Sequence, residues 1–207
     1  MRELRPCAFW GRLLCLMAVF CLFSIPLARA KELVLKVNGI EKKGPSLEAA
    51  LAGVDLKQVR DIIIESGEVK AADWQYLRGK RDLMTALNSF IVNKEVTPVA
   101  DIETGKNEPM QKPKDPNSGM EADEAVPSIN GSPISSTCTY VEIHNLSKIA
   151  LNSFSEVGVL EIAIFPDLTE LGAFALANHT SLRVMFAPKL TKIGANAFYK
   201  CEALTLM

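Results

Sequence analysis

The chain has 207 residues, with 23 Lys+Arg against 24 Asp+Glu, 2 His and 5 Cys. Four basic residues (Arg2, Arg5, Arg12, Arg29) and one acidic residue (Glu3) fall within the first 30 positions, so the remainder carries 19 basic against 23 acidic, a net −4. That balance argues against a generic nucleic-acid binder, which shows a basic excess or stripe. Two histidines and two cysteines beyond residue 30 leave little for a soft-metal site, and no metal or cofactor is expected.

Residues 1–30 read as a secretory signal peptide. A basic start precedes the uncharged stretch Leu13 to Leu27, and Ala28-Arg29-Ala30 follows as a small-x-small cleavage signal. The stretch is shorter than the roughly 20 residues of a spanning helix. We expect cleavage after Ala30, no stable membrane span afterwards, and a chain that is secreted or held at the bacterial cell surface, with the periplasm crossed in transit. Cys7, Cys15 and Cys21 leave with the leader. Cys138 and Cys201 remain, about three repeat turns apart, and are expected to be free thiols.

Residues 31–97 form an N-terminal strand-helix cap region. Lys31 to Val37 alternates polar and apolar as a strand does, and Asn38-Gly39 makes a tight turn. Ser46 caps a short helix carrying Leu47, Ala50, Leu51 and Val54. Val59 to Glu65 is a second strand, ended by Ser66-Gly67. Asp73 starts a helix beside a core Trp74; a lone carboxylate carries no acid/base chemistry. Leu83, Ala86, Leu87 and Phe90 are spaced by three and four, which predicts another short helix.

Residues 98–137 hold six prolines and few large apolar side chains. Such a segment cannot offset its own chain entropy and reads as a flexible polar linker or loop. Glu121, Asp123 and Glu124 lack the spacing of a calcium loop.

Residues 138–207 repeat with a period of 22. Leu160, Pro166, Leu168, Leu171 and Gly172 recur as Leu182, Pro188, Leu190, Ile193 and Gly194. Phe154, Leu176 and Phe198 share a further phase. A period in the twenties with recurring Leu/Ile predicts an α/β leucine-rich repeat solenoid of short parallel strands with irregular or short helical convex turns. Leu160, Ile162 and Ile164, like Leu182 and Val184, are assigned to the inward face of the strands. Val141 and Ile143 then fit only if their turn is one residue shorter. Proline two residues past Ile164 ends the strand because it cannot donate to the ladder. The inward phase runs on to Leu204 and Leu206. With Met207 inside a strand, a truncated reading frame and weak self-association through an open C-terminal end are expected.

These residues resemble the BspA-like, or treponemal-type, leucine-rich repeat family. Ile193-Gly194, Ala197-Phe198, Cys201 and Leu204 match its unit. Leu171-Gly172, Ala175-Leu176, His179 and Leu182 match with leucine for phenylalanine and histidine for cysteine. Residues 62–78 are similar to the amino-terminal cap seen before such repeats. The resemblance spans roughly 46–92 and 138–207, and the period departs from the more usual 23. It implies an exported or surface protein of a host-associated bacterium. Family members are linked with adhesion and share no catalytic residues.

The expected function is therefore a protein- or glycan-binding, adhesin-like surface module without catalysis, whose partner is a host or bacterial surface protein or glycan and not nucleic acid. Glu161, Phe165, Arg183 and Met185 are the expected concave binding face, if the outward positions of the strands are 161, 163, 165 and their repeats. The alternative is a purely structural or truncated repeat protein with no independent function. His144 and His179 sit in different phases with no nucleophile beside them, so no catalytic site is expected.

Overall fold

Asn38 and Gly39 both adopt positive φ, 50° and 79°. That is the backbone a two-residue hairpin turn demands. It joins β1 (Leu33–Val37) to β2 (Ile40–Gly44) in an antiparallel pair. Alternation along β1 buries Leu33, Leu35 and Val37 on one face. The Ser46 hydroxyl accepts the Ala49 N–H at 3.2 Å and starts α1 (Leu47–Ala50). The computed structural model describes residues 31–98, 128–129, 131–155 and 159–206. The residues read as a signal peptide and its cleavage signal lie outside the described residues.

β3 (Asp61–Val69) pairs antiparallel with β1 and continues through Ser66 and Gly67, where the sequence suggests an end. α2 (Ala71–Lys80) follows, with Trp74 and Leu77 fully buried. The next strand corrects the sequence reading. Phe90 belongs to β4 (Ser89–Val92), not to a helix, because it pairs in parallel with Ile62 of β3. β5 (Val96–Pro98) lies along the far end of β3.

From β3 onward the chain winds as a β-solenoid of about four turns, with few short helices. The strands β7 (Tyr140–Ile143), β9 (Ile162–Ile164) and β11 (Val184–Phe186) extend the first sheet in the order β2-β1-β3-β4-β7-β9-β11. All neighbours from β3 onward are parallel. A second parallel sheet of two-residue strands stacks β6 (Ser128–Ile129), β8 (Lys148–Ile149), β10 (Glu170–Leu171) and β12 (Lys192–Ile193). Thus the interval expected as a linker ends inside the fold: Ile129, Ile134 and Ser135 are buried.

The 22-residue phase is exact in the pairing, since Tyr140 meets Ile162 and Ile162 meets Val184. Which side of the strand faces the core is opposite to the expectation. Val141, Ala163 and Met185 form one inward row, and Ile143 and Phe165 begin the next; all five are fully buried. Leu160 and Leu182 are buried at the corners before the strands, whereas Ile162 and Val184 are only half-buried. With this phase Val141 and Ile143 need no shorter turn.

The convex side explains the remaining repeat residues. A Cβ on Gly172 would lie 2.6 Å from the Ala150 carbonyl carbon, and one on Gly194 would collide with the Ala173 backbone. Glycine recurs there because adjacent turns touch backbone to backbone. Short side chains reach one turn back: Thr169 and Thr191 hydroxyls donate to the carbonyls of Ser147 and Thr169 at 3.0 and 3.1 Å. His179 stands where the next turn has Cys201, and both serve one purpose. His179 Nε2 donates to the Phe154 carbonyl at 2.6 Å, and Cys201 Sγ to the equivalent Leu176 carbonyl at 3.0 Å. Cys138 and Cys201 are free thiols.

Candidate functional site: the outer face of the long sheet

A parallel strand buried on one side shows its alternate residues on the other. The outward row through the middle of the long sheet reads Ile63, Ile91, Glu142, Ile164 and Phe186. The neighbouring row reads Asp61, Ser89, Tyr140, Ile162 and Val184. Phe186 is 50 % exposed, and the other nine are half-buried. Seven of the ten are aliphatic or aromatic side chains, so the face is mostly apolar while remaining open to water.

A polar group interrupts it at the centre. The Tyr140 phenol donates to Glu142 Oε2 at 2.5 Å, and His144 Nε2 donates to Glu142 Oε1 at 2.7 Å. Burial opposes ionisation of Glu142, but these two hydrogen bonds outweigh it and hold its carboxyl below the usual carboxylate range. Burial, with the carboxylate beside it, pushes the Tyr140 phenol up to about 12. At neutral pH the centre therefore holds a Glu142 carboxylate and a Tyr140 phenol, with the His144 ring hydrogen-bonded to the carboxylate. Along the sheet it is flanked by Ile91 and Ile164. Next to it the Ser89 hydroxyl donates to Asp61 Oδ1 at 2.6 Å.

The sequence-predicted face is split by this geometry. Phe165 and Met185 are fully buried in the core, because the strand phase is reversed, and cannot contact a partner. Glu161 and Arg183 are exposed and adjacent, the Arg183 N–H donating to the Glu161 carbonyl at 2.9 Å. They lie at the rim, just before β9 and β11. Tyr140, Glu142 and Ile164 were missed as face residues. The run Tyr140-Val141-Glu142-Ile143-His144 carries the signal, since its three polar residues alternate and must share one face. His144 is thereby joined to Glu142, and His179 stays fully buried on the convex side.

Asp73 sits apart from this face. It is 2 % exposed, its Oδ1 accepting the Leu47 N–H at 2.7 Å and its Oδ2 the Lys70 N–H at 2.9 Å. One carboxylate thus ties the starts of α1 and α2, a structural task. Among the described residues no group of three or more His, Cys, Asp or Glu is placed to hold a metal ion, and no helix is long and apolar enough to cross a membrane. Comparison with known proteins found no matching family model, no matching curated sequence and no matching solved structure.

Proposed function

We propose that the chain is an exported leucine-rich repeat protein of the BspA-like kind, acting at the bacterial surface by binding a protein or glycan through the outer face of its long sheet, without catalysis. The observation that carries this reading is the row Ile63, Ile91, Ile164 and Phe186, left open to water around the Tyr140–Glu142–His144 centre. Exposed apolar patches rimmed by polar groups mark interaction sites. Glu161 and Arg183 supply that rim. The 22-residue repeat and its recurrent proline and glycine support the family assignment, and the leader residues support export.

The test is binding of the purified 31–207 chain to a panel of immobilised host extracellular-matrix proteins and mucin glycans. Wild type is expected to bind at least one member saturably. The double variant Ile164→Asp, Phe186→Asp should lose at least tenfold in affinity at an unchanged circular dichroism spectrum. Equal binding by the double variant would move the site elsewhere. No binding by wild type would leave a purely structural repeat.

A further inference from the structure

Phe174 has a φ of 53°. A bulky residue in the left-handed region is a true outlier, and such strain persists only where the surroundings impose it. Here the repeat imposes it. Asn152 and Asn196, one turn either side, hold φ of 56° at the same phase, and asparagine enters this region readily. The Phe174 N–H donates to the Ala195 carbonyl at 3.1 Å, as the Asn152 N–H donates to Ala173. The turn therefore calls for asparagine, and Phe174 is the exception.

The exception is not buried. Phe174 is 37 % exposed and meets the 50 % exposed Tyr199 edge to face, ring centroids 6.4 Å apart. Lys200 brings its ammonium 5.4 Å from the Tyr199 ring centre. Asn152 and Asn196 are exposed on the two flanking turns. At about 4.8 Å per turn, Asn152 and Asn196 flank the turn of Phe174 about 10 Å apart, and Tyr199 lies in the same turn as Asn196.

We propose that Phe174 and Tyr199, with Asn152, Asn196 and Lys200, form a second binding site, on the convex side, for a pyranose ring of a glycan. The rings stand at 72° to each other, so one offers its face to the apolar side of the sugar and the other walls the site, while amide and ammonium groups nearby match its hydroxyls. The patch is too small for a stable protein interface. Two aromatic side chains bury at most about 500 Å² together, against about 800 Å² per partner in a specific complex. The proposal does not rest on the sheet face.

The test is saturation-transfer NMR on the 31–207 chain with the methyl glycosides of glucose, galactose, N-acetylglucosamine and N-acetylneuraminic acid as probes. At least one should receive saturation from the protein and show millimolar affinity. Phe174→Asn and Tyr199→Ala should each abolish the transfer, while Ile40→Ser, at an exposed position of the hairpin strand β2, leaves it intact. Phe174→Asn should also keep or raise the thermal midpoint, because the turn then holds the residue it favours. Three results would overturn the proposal: no transfer to any of the four sugars, undiminished transfer with Phe174→Asn, or a lowered midpoint in that variant, which would make Phe174 a packing residue.

Discussion

The irregular turns between Asp61 and Thr139 and the regular ones from Tyr140 to Leu206 pair their strands in one unbroken register, yet they fill the space between turns differently. In the irregular part the filling is mainly bulk, with Thr137 and Thr139 hydroxyls donating to the Leu87 and Asn88 carbonyls one layer back. Trp74 and Phe90 meet edge to face at 6.5 Å, and Leu77 and Leu87 are fully buried beside them in the core. In the regular part, short side chains at fixed phases bond to the carbonyl one turn back, from Thr169, Thr191 and Thr205. The difference teaches that the repeat period is a signature of turn-to-turn hydrogen bonding and close backbone contact. Burial reinforces that period, since the fully buried Leu160 and Leu182, and Phe154 and Leu176, also recur at 22 residues.

The sharpest way to break this comparison is to open a cavity in each part. Trp74→Ala and Phe165→Ala should each cost about 3–5 kcal/mol in urea unfolding, since both side chains are fully buried. An unchanged midpoint for Phe165→Ala would restore the opposite strand phase. Gly172→Ala should cost about 1–3 kcal/mol, because its Cβ meets backbone that cannot step aside. Gly53→Ala, with nothing within 4 Å of the new Cβ but a φ of 75°, separates backbone strain from collision. Phe186→Ser, at a half-exposed outward position, should change stability by no more than about 0.5 kcal/mol.

Two further effects are smaller in energy and equally specific. The folded Glu142 carboxyl lies below its unfolded value, so its stabilisation is complete above the unfolded pKa, about 4.3, and is lost as pH falls through the folded value. The stability gap between wild type and Glu142→Gln should therefore shrink on acidification below about pH 4.3, as read from urea midpoints at successive pH. The thiols should also separate. Burial pushes Cys138 up to about 12 and raises the less buried Cys201 more mildly. A thiol reagent at pH 8 should label Cys201 first and reach Cys138 only with global unfolding.

Much of the fold was legible because stacking stamps itself on sequence. Gly172 and Gly194 keep phase because adjacent turns touch there, Leu168 and Leu190 because they pack on the core, and Pro166 and Pro188 because they end the strands; together they located the turns. The strand phase was not legible from apolar character, since both faces of β9 and β11 are apolar. Parallel strands read as near-continuous hydrophobic runs, and the inward Ala163 is smaller than the outward Ile162 and Ile164 on either side. The apparent slip at Val141 and Ile143 was the clue, because it vanishes when the other phase is chosen. The strand at Phe90 was hidden for a different reason. Its apolar residues happen to fall at helical spacing, and only the pairing with β3 decides the outcome.

Ser89 pairs with Tyr140 as faithfully as Tyr140 pairs with Ile162, although 51 residues separate the first pair and 22 the second. Strand pairing in this architecture counts layers, and the chain between layers is free to vary in length. For a lineage of such proteins, that makes the connections between layers places where new sequence can be acquired, lengthened or lost without retuning the rest. Loop closure grows only logarithmically more costly with length. Selection on the sheet face and experiments in the connections can then proceed side by side, each blind to the other.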